Sequence, residues 1–184
     1  MIIINAHELR KVEMRLGEYK SKAPAVISRA LNRVASNAKT NINRKTREIY
    51  VVKAKDINQT MIIKRANSTK LTAFIISRGQ RMPLERFKYS PKKPRPKNPP
   101  TALKIGVKKG STKDLLHAFV AEINGNKIMT RVGKSRLPIK RMYGPAVPQM
   151  VKNEEIRRYV ERQAELLYKQ RLTHEIKRII EGGN

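Results

Sequence analysis

Residues 117–132 read HAFVAEINGNKIMTRV, two runs of alternating apolar and polar residues on either side of Asn124-Gly125. Both turn residues tolerate positive φ, which a tight reversal between antiparallel strands demands. The spacing predicts strands over 117–123 and 127–132 joined in a hairpin. Working towards the N-terminus, 102–107 has the same two-residue period, and 61–65 and 71–77 form another strand pair around the turn-forming Asn67-Ser68-Thr69.

Outside this β-rich middle the period changes. Met1 to Ile4 reads as a short strand or a buried anchor. Asn5, with Glu8 three residues on, has the pattern of a capping box before Leu9, Val12, Leu16 and Tyr19. Ser21 and Pro24 suit the start of a second helix. In it Ile27, Ala30, Leu31, Val34, Ala35, Ala38 and Ile42 make one narrow apolar stripe as far as about Glu48, and Arg29, Arg33, Lys39 and Arg44 fall largely outside it. Asp56 is placed to cap a single helical turn. Near the C-terminus Asn153, followed by Glu154 and Glu155, is a good helix start. Ile156, Val160, Leu167, Leu172, Ile176 and Ile179 mark one side of a helix that ends at Gly182-Gly183, with Thr173-His174 as a possible kink. If continuous, its length of about 40 Å exceeds what a small sheet needs for cover, which predicts packing against another subunit.

The expected fold class is therefore α+β: a small, mainly antiparallel sheet packed against long N- and C-terminal helices. One domain spans 1–184, divided into N-terminal helices (1–50), a β-rich region (51–135) with a basic arm (81–101), a Pro/Gly elbow (136–152) and the C-terminal helix (153–181).

Charge sets the class of partner. Lys and Arg number 42 against 14 Asp and Glu, a formal net charge of +28, in a chain that is only 39% hydrophobic. So much positive charge repels itself, and an acidic partner is expected to offset it in the working state. The modest core implies an elongated molecule, or a subunit completed by its neighbours. Absence of Cys removes disulfides, thiolate metal sites and cysteine nucleophiles. The apolar run 1–4 is too short for a signal peptide or a membrane span, so synthesis in a cytoplasm is the expectation.

Little in the chain suggests catalysis. His7, His117 and His174 are dispersed, the acids are sparse, and Gly106 to Gly110 lacks the Gly-Lys-Ser/Thr ending of a phosphate loop. The expectation is a non-enzyme with no catalytic residues, no metal ligands and no cofactor.

The candidate binding residues are cations. Arg81, Arg86, Lys88, Lys92, Lys93, Arg95, Lys97, Lys104, Lys108, Lys109 and Lys113 face only Glu85 and Asp114 over 81–114. Within it Pro91, Pro94, Pro96, Pro99 and Pro100 remove backbone donors, so 81–100 is expected as an extended, polyproline-like arm rather than sheet interior. Lys108 and Lys109 open a second basic turn that runs to Lys113. DNA phosphates and acidic protein surfaces both suit such a segment, and the residues leave the two open. With only Phe87 and Tyr89 as aromatics in the arm, a stacking platform for single strands is disfavoured, and any DNA contact would be non-specific. No membrane partner is expected, because the C-terminal helix mixes Glu154, Glu155, Glu161, Glu165 and Glu175 with its basic residues.

The order of segments resembles a known family. Ala30-Leu31-Asn32-Arg33 in an alanine-rich helix is followed by His117-Ala118-Phe119-Val120-Ala121, then Arg131-Val132-Gly133-Lys134, Arg136-Leu137-Pro138-Ile139-Lys140 and Tyr143-Gly144-Pro145-Ala146-Val147-Pro148-Gln149-Met150. This is similar to the prophage minor tail protein Z family, which includes the lambda-type tail-completion protein. The likeness runs from about residue 23 to 180 and is most specific over 137–150, whereas the proline-lysine stretch 91–100 departs from it. The resemblance implies a virion protein made in the host bacterial cytoplasm and acting at the head-proximal tail or neck. It would help join head to tail and position the genome end. Implied partners are further copies of the chain in a symmetric oligomer, tail tube, tail terminator or neck proteins, and phage DNA without sequence preference. Leu137, Pro138, Ile139, Tyr143, Gly144, Pro145, Pro148, Gln149 and Met150 would form a rigid elbow, either as a subunit contact or as packing for the domain's own core. Leu137, Ile139, Tyr143, Val147 and Met150 are the side chains expected to plug the junction between sheet and helix. A stand-alone, non-specific nucleic-acid-binding protein is the rival reading.

Overall fold

The computed structural model describes residues 2–5, 9–95 and 102–182. Two long helices, α2 (Ala23–Ile49) and α5 (Glu154–Ile180), form its spine. They run antiparallel: Arg29 Nε lies 2.8 Å from Glu175 Oε2 at one end, and Lys45 Nζ lies 2.9 Å from Glu155 Oε1 at the other. The alanine-rich stripe explains the pairing. Ala30, Ala35 and Ala38 let the backbones approach while Ile27, Leu31 and Ile42 are fully buried.

Helix α1 (Leu9–Leu16) and a 3-10 segment, Gly17–Lys22, precede the spine. Asn5 lies in a strand, not at the start of α1. It ends the strand β1 (Ile2–Asn5), opposite Thr72, while Glu8 and His7 lie outside the described residues. A short helix, α3 (Ala54–Thr60), follows α2. Its N-cap is Lys53, and Asp56 sits inside the first turn instead.

The length of α5 has an explanation within the chain. Leu172, Ile176 and Ile179 pack with Val12, Leu16, Ile27 and Leu31 in one apolar cluster, so α1 and the first half of α2 cover the part of α5 that was expected to need another subunit. The helix is continuous through Thr173-His174. It starts where the sequence places it, with Asn153 Oδ1 accepting from the Glu155 amide at 3.0 Å. Asn153→Ala removes that cap and is expected to cost about 1 kcal/mol, read as a lower midpoint in urea with unchanged slope.

Strands make four small antiparallel sheets. β2 (Met61–Lys64) and β1 flank β3 (Thr72–Ser77). β4 (Arg81–Pro83) pairs with β11 (Tyr143–Ala146). β5 (Lys88–Ser90) and β7 (Lys113–Leu116) flank β6 (Ala102–Gly106). The hairpin of β8 (Ala118–Glu122) and β9 (Asn126–Arg131) is joined by β10 (Ile139–Arg141). Its turn holds Asn124 at φ 49° and Gly125 at φ 91°, the left-handed pair the sequence predicts. His117, at φ 59°, is a pivot between β7 and β8 where the chain passes from one sheet to the next.

The sheets cover the second half of α2 and the first half of α5. Leu103, Ile128, Ile57, Met150 and Ile156 are fully enclosed there. Residues 81–90, expected to lie in the arm, instead belong to this body. They form β4, a 3-10 turn (Leu84–Arg86) and β5, and bury Met82, Leu84, Phe87 and Tyr89. Apolar side chains at every second or third position outweigh the charged residues between them, whose heads stay in water. Beyond Ser90 the segment 91–95 belongs to no helix or strand and bends at Lys93, and 96–101, with Pro96, Lys97, Pro99 and Pro100, lies outside the described residues.

Candidate functional site

The net charge is unevenly placed. Residues 61–152 carry 22 Lys and Arg against Glu85, Asp114 and Glu122, a net of +19, whereas most acids lie on or beside the two spine helices. There they are matched with local cations, as in Arg157–Glu161, Arg158–Glu154 and Lys169–Glu165. The strand half is therefore the strongly positive side of the molecule.

The structure divides the candidate cations into three groups. Arg86, Lys92, Lys108 and Lys109 have local structural duties. Arg86 Nη1 pairs with Asp56 Oδ1 at 2.9 Å. Lys92 Nζ lies 3.7 Å above the Tyr89 ring, and its carbonyl accepts from Asn126 Nδ2 at 2.9 Å, which ties the base of the arm to the β8–β9 hairpin. Lys108 Nζ stands 6.0 Å from the centre of the Tyr50 ring. The Lys109 amide donates to Ile49 O at 2.8 Å, so this basic turn satisfies a carbonyl at the C-terminal end of α2, where positive charge is favoured. Arg81, Lys88, Lys93, Arg95, Lys104 and Lys113 are exposed and, among the described residues, make no ion pair. Lys97 lies outside the described residues.

The strands bring some of these cations together. Lys88 is opposite Gly106 and Ser90 is opposite Lys104, so Lys88 and Lys104 are diagonal neighbours on the outer face of β5–β6–β7. Asp114 stands opposite Lys104 on the same face and partly balances it. Arg95 and Lys93 extend beyond that sheet.

The elbow 136–152 is regular over much of its length. It contains β10, β11 and the short helix α4 (Val147–Val151). Met150, 1% exposed, and Val147 reach the main core, and Gln149 Oε1 accepts from the Ala146 amide at 2.8 Å to close the first turn of α4. Pro148 lies in that first turn, where its missing donor costs nothing, and both it and Pro145 are half-buried. Gly144 is closely packed. A Cβ built there would stand 2.8 Å from Phe87 Cε2 and 3.0 Å from Leu84 Cδ2, so β11 lies directly against those buried side chains. The expected plug is only partly present: Ile139 is half-buried, while Leu137 and Tyr143 are 66% and 49% exposed and Pro138 is exposed as well.

The elbow is locked to the β4–β5 segment by Arg141 and Glu85. Arg141 Nε donates to Glu85 Oε1 at 2.8 Å, its Nη2 makes a second contact with the same oxygen, and the guanidinium lies 5.7 Å from the Tyr143 ring. The hydrogen bond to Glu85 raises the Arg141 pKa above its ordinary value, so the guanidinium stays charged. Glu85 Oε2 is buried and accepts no hydrogen bond among the described residues.

Sequence reasoning passed over one cluster. Arg131, Lys134, Arg136 and Lys140 are exposed on and around the β9–β10 connection, next to the elbow. The available signal was the absence of any acid between Glu122 and Glu154. Among the described residues no group of three His, Cys, Asp or Glu is placed to hold a metal ion, and no helix is long and apolar enough to cross a membrane. An open groove of about 260 Å³ between α1 and the end of α5 is lined by Arg15, Thr173, Ile176, Lys177, Ile180 and Glu181, and its one carboxylate, Glu181, is paired with Lys177 at 3.5 Å.

No curated protein and no solved structure matches the chain significantly. A family model does match, over residues 12–182, and it takes in both spine helices, the basic strand half and the elbow. The chain belongs to the prophage minor tail protein Z family, and is a structural component of a phage tail.

Proposed function

We propose that this protein completes the head-proximal end of the tail, as a symmetric oligomer that contacts tail tube, tail terminator or neck proteins and helps to join the head and position the genome end. The observation that carries the reading is the basic strand half, a net of +19 over residues 61–152 on a family member of tail proteins. Like charge at this density repels itself, and a counter-charge relieves the repulsion. The head-proximal end of a tail offers acidic protein surfaces and DNA phosphates together. A repeated heterologous contact closes naturally into a ring. Disrupting the gene is expected to leave tails of normal length that fail to form infectious particles with heads. Normally joined, infectious particles from such a strain would overturn the proposal.

The net charge of +28 also favours a second reading, a stand-alone protein that binds nucleic acid without sequence preference. Deleting residues 91–100 separates the two. Under the tail-completion reading with protein partners, the deletion is expected to reduce head joining at least tenfold while duplex-DNA affinity of the isolated protein stays within twofold. Lost DNA affinity with normal joining would favour the free nucleic-acid binder.

A further inference from the structure

The connection between β9 and β10 is built differently from the other basic segments. It is closed on itself, with the Val132 amide donating to Pro138 O at 3.0 Å and Arg131 Nη1 to Arg136 O at 2.8 Å. Its shape is therefore held without help from side chains in the core. On this frame Val132, 57% exposed, and Leu137 stand out into solvent among exposed Lys134, Arg136 and Lys140. None of these three cations makes an ion pair among the described residues, and from Ile123 to Asn153 the chain holds seven cations and no acid.

Two features together restrict what covers the loop. Phosphate contacts are made by donors and gain nothing from burying Val132 and Leu137, so DNA leaves half of the surface unused. Another copy of this chain brings the wrong charge. Its acids are few, and those of α5, such as Glu154, Glu161 and Glu165, are already matched by cations one turn away. An apolar centre with a charged rim is the usual anatomy of a protein contact, and charge complementarity requires the opposite face to be acidic.

We infer that residues 132–138 form a docking plug for a different protein of the tail, one that receives Leu137 and Val132 in an apolar pocket rimmed by carboxylates. The inference rests on membership of the tail, not on a position at its head-proximal end, so the two stand or fall separately.

The test uses the chain in the assembled particle. A photo-crosslinking p-benzoylphenylalanine at exposed Ser135 leaves Leu137 and the cations in place. Irradiated particles are expected to yield one adduct with a different tail protein, joined through a segment containing Asp or Glu. An adduct with another copy, an adduct with DNA, or no adduct would each overturn the inference. In parallel, Leu137→Ser and the pair Lys134→Glu with Arg136→Glu are expected to lower incorporation into particles at least tenfold. The melting temperature of the isolated protein should be unchanged, because these side chains lie outside the core. Normal incorporation of both variants would contradict the plug.

Discussion

Met150→Ala is expected to destabilise the isolated protein by about 2–5 kcal/mol, the usual cost of emptying a fully enclosed site of this size. Met150 lies where the elbow meets α2, α3 and the strand half, in the same cluster as Ile57, Leu103, Ile128 and Ile156. The cavity would border several elements at once, which limits relaxation. For a chain of this length each kcal/mol corresponds to about 2–4 °C, so thermal denaturation should show a fall of roughly 5–20 °C. Leu137→Ala, in the same signature, is expected to stay within about 0.5 kcal/mol, because Leu137 is exposed. The pair of measurements divides the elbow into a part that holds the fold and a part available to other molecules. Equal losses at the two positions would sink that division.

Gly144→Ala is the second large effect, expected to cost about 1–3 kcal/mol through overpacking. The added methyl meets the edge of the Phe87 ring and the end of Leu84, both of them buried, so neither can swing into solvent. Moving the backbone instead would disturb β11, which is held to β4 at Tyr143–Pro83 and Ala146–Arg81. Phe87→Leu in the Gly144→Ala background should recover part of the loss, although Phe87→Leu alone destabilises. Such non-additivity is the mark of a direct contact. Strictly additive losses in chemical denaturation would show that Gly144 matters for some reason other than Phe87.

How much of this was legible in the sequence depended on how strong the local signals were. Asn124-Gly125 and the alternation around it identified β8 and β9 to within a residue or so, and the alanine stripe gave α2 to within a residue of its end. Asn153 placed the start of α5 through its capping geometry. The missed strands are three or four residues long, too short for a period to stand out. In β4 and β5 the pattern was present, with Met82 and Tyr89 inward between less buried neighbours, but Arg81, Lys88 and the nearby prolines gave those residues the composition of an arm. The cover over the end of α5 was not readable, because the pairing of α1 and α2 with it joins residues about 150 positions apart.

The candidate site was legible as chemistry and not as geometry. Counting charges found the basic strand half. It gave no sign that Arg86 is committed to Asp56, or that the Lys109 backbone closes the end of α2. Gly144 also carries a packing constraint from Phe87, 57 residues earlier in the chain, which no local pattern gives. The outward direction of Leu137 and Tyr143 follows from an irregular backbone that no period describes.

Cryo-electron microscopy of the intact particle tests the central claim most directly. The account predicts a symmetric ring at the head-proximal end of the tail, each subunit recognisable by the antiparallel pair α2 and α5, with its basic strands against acidic protein or DNA. Density for that helix pair only at the distal tip or along the tube, or none in finished particles, would contradict it.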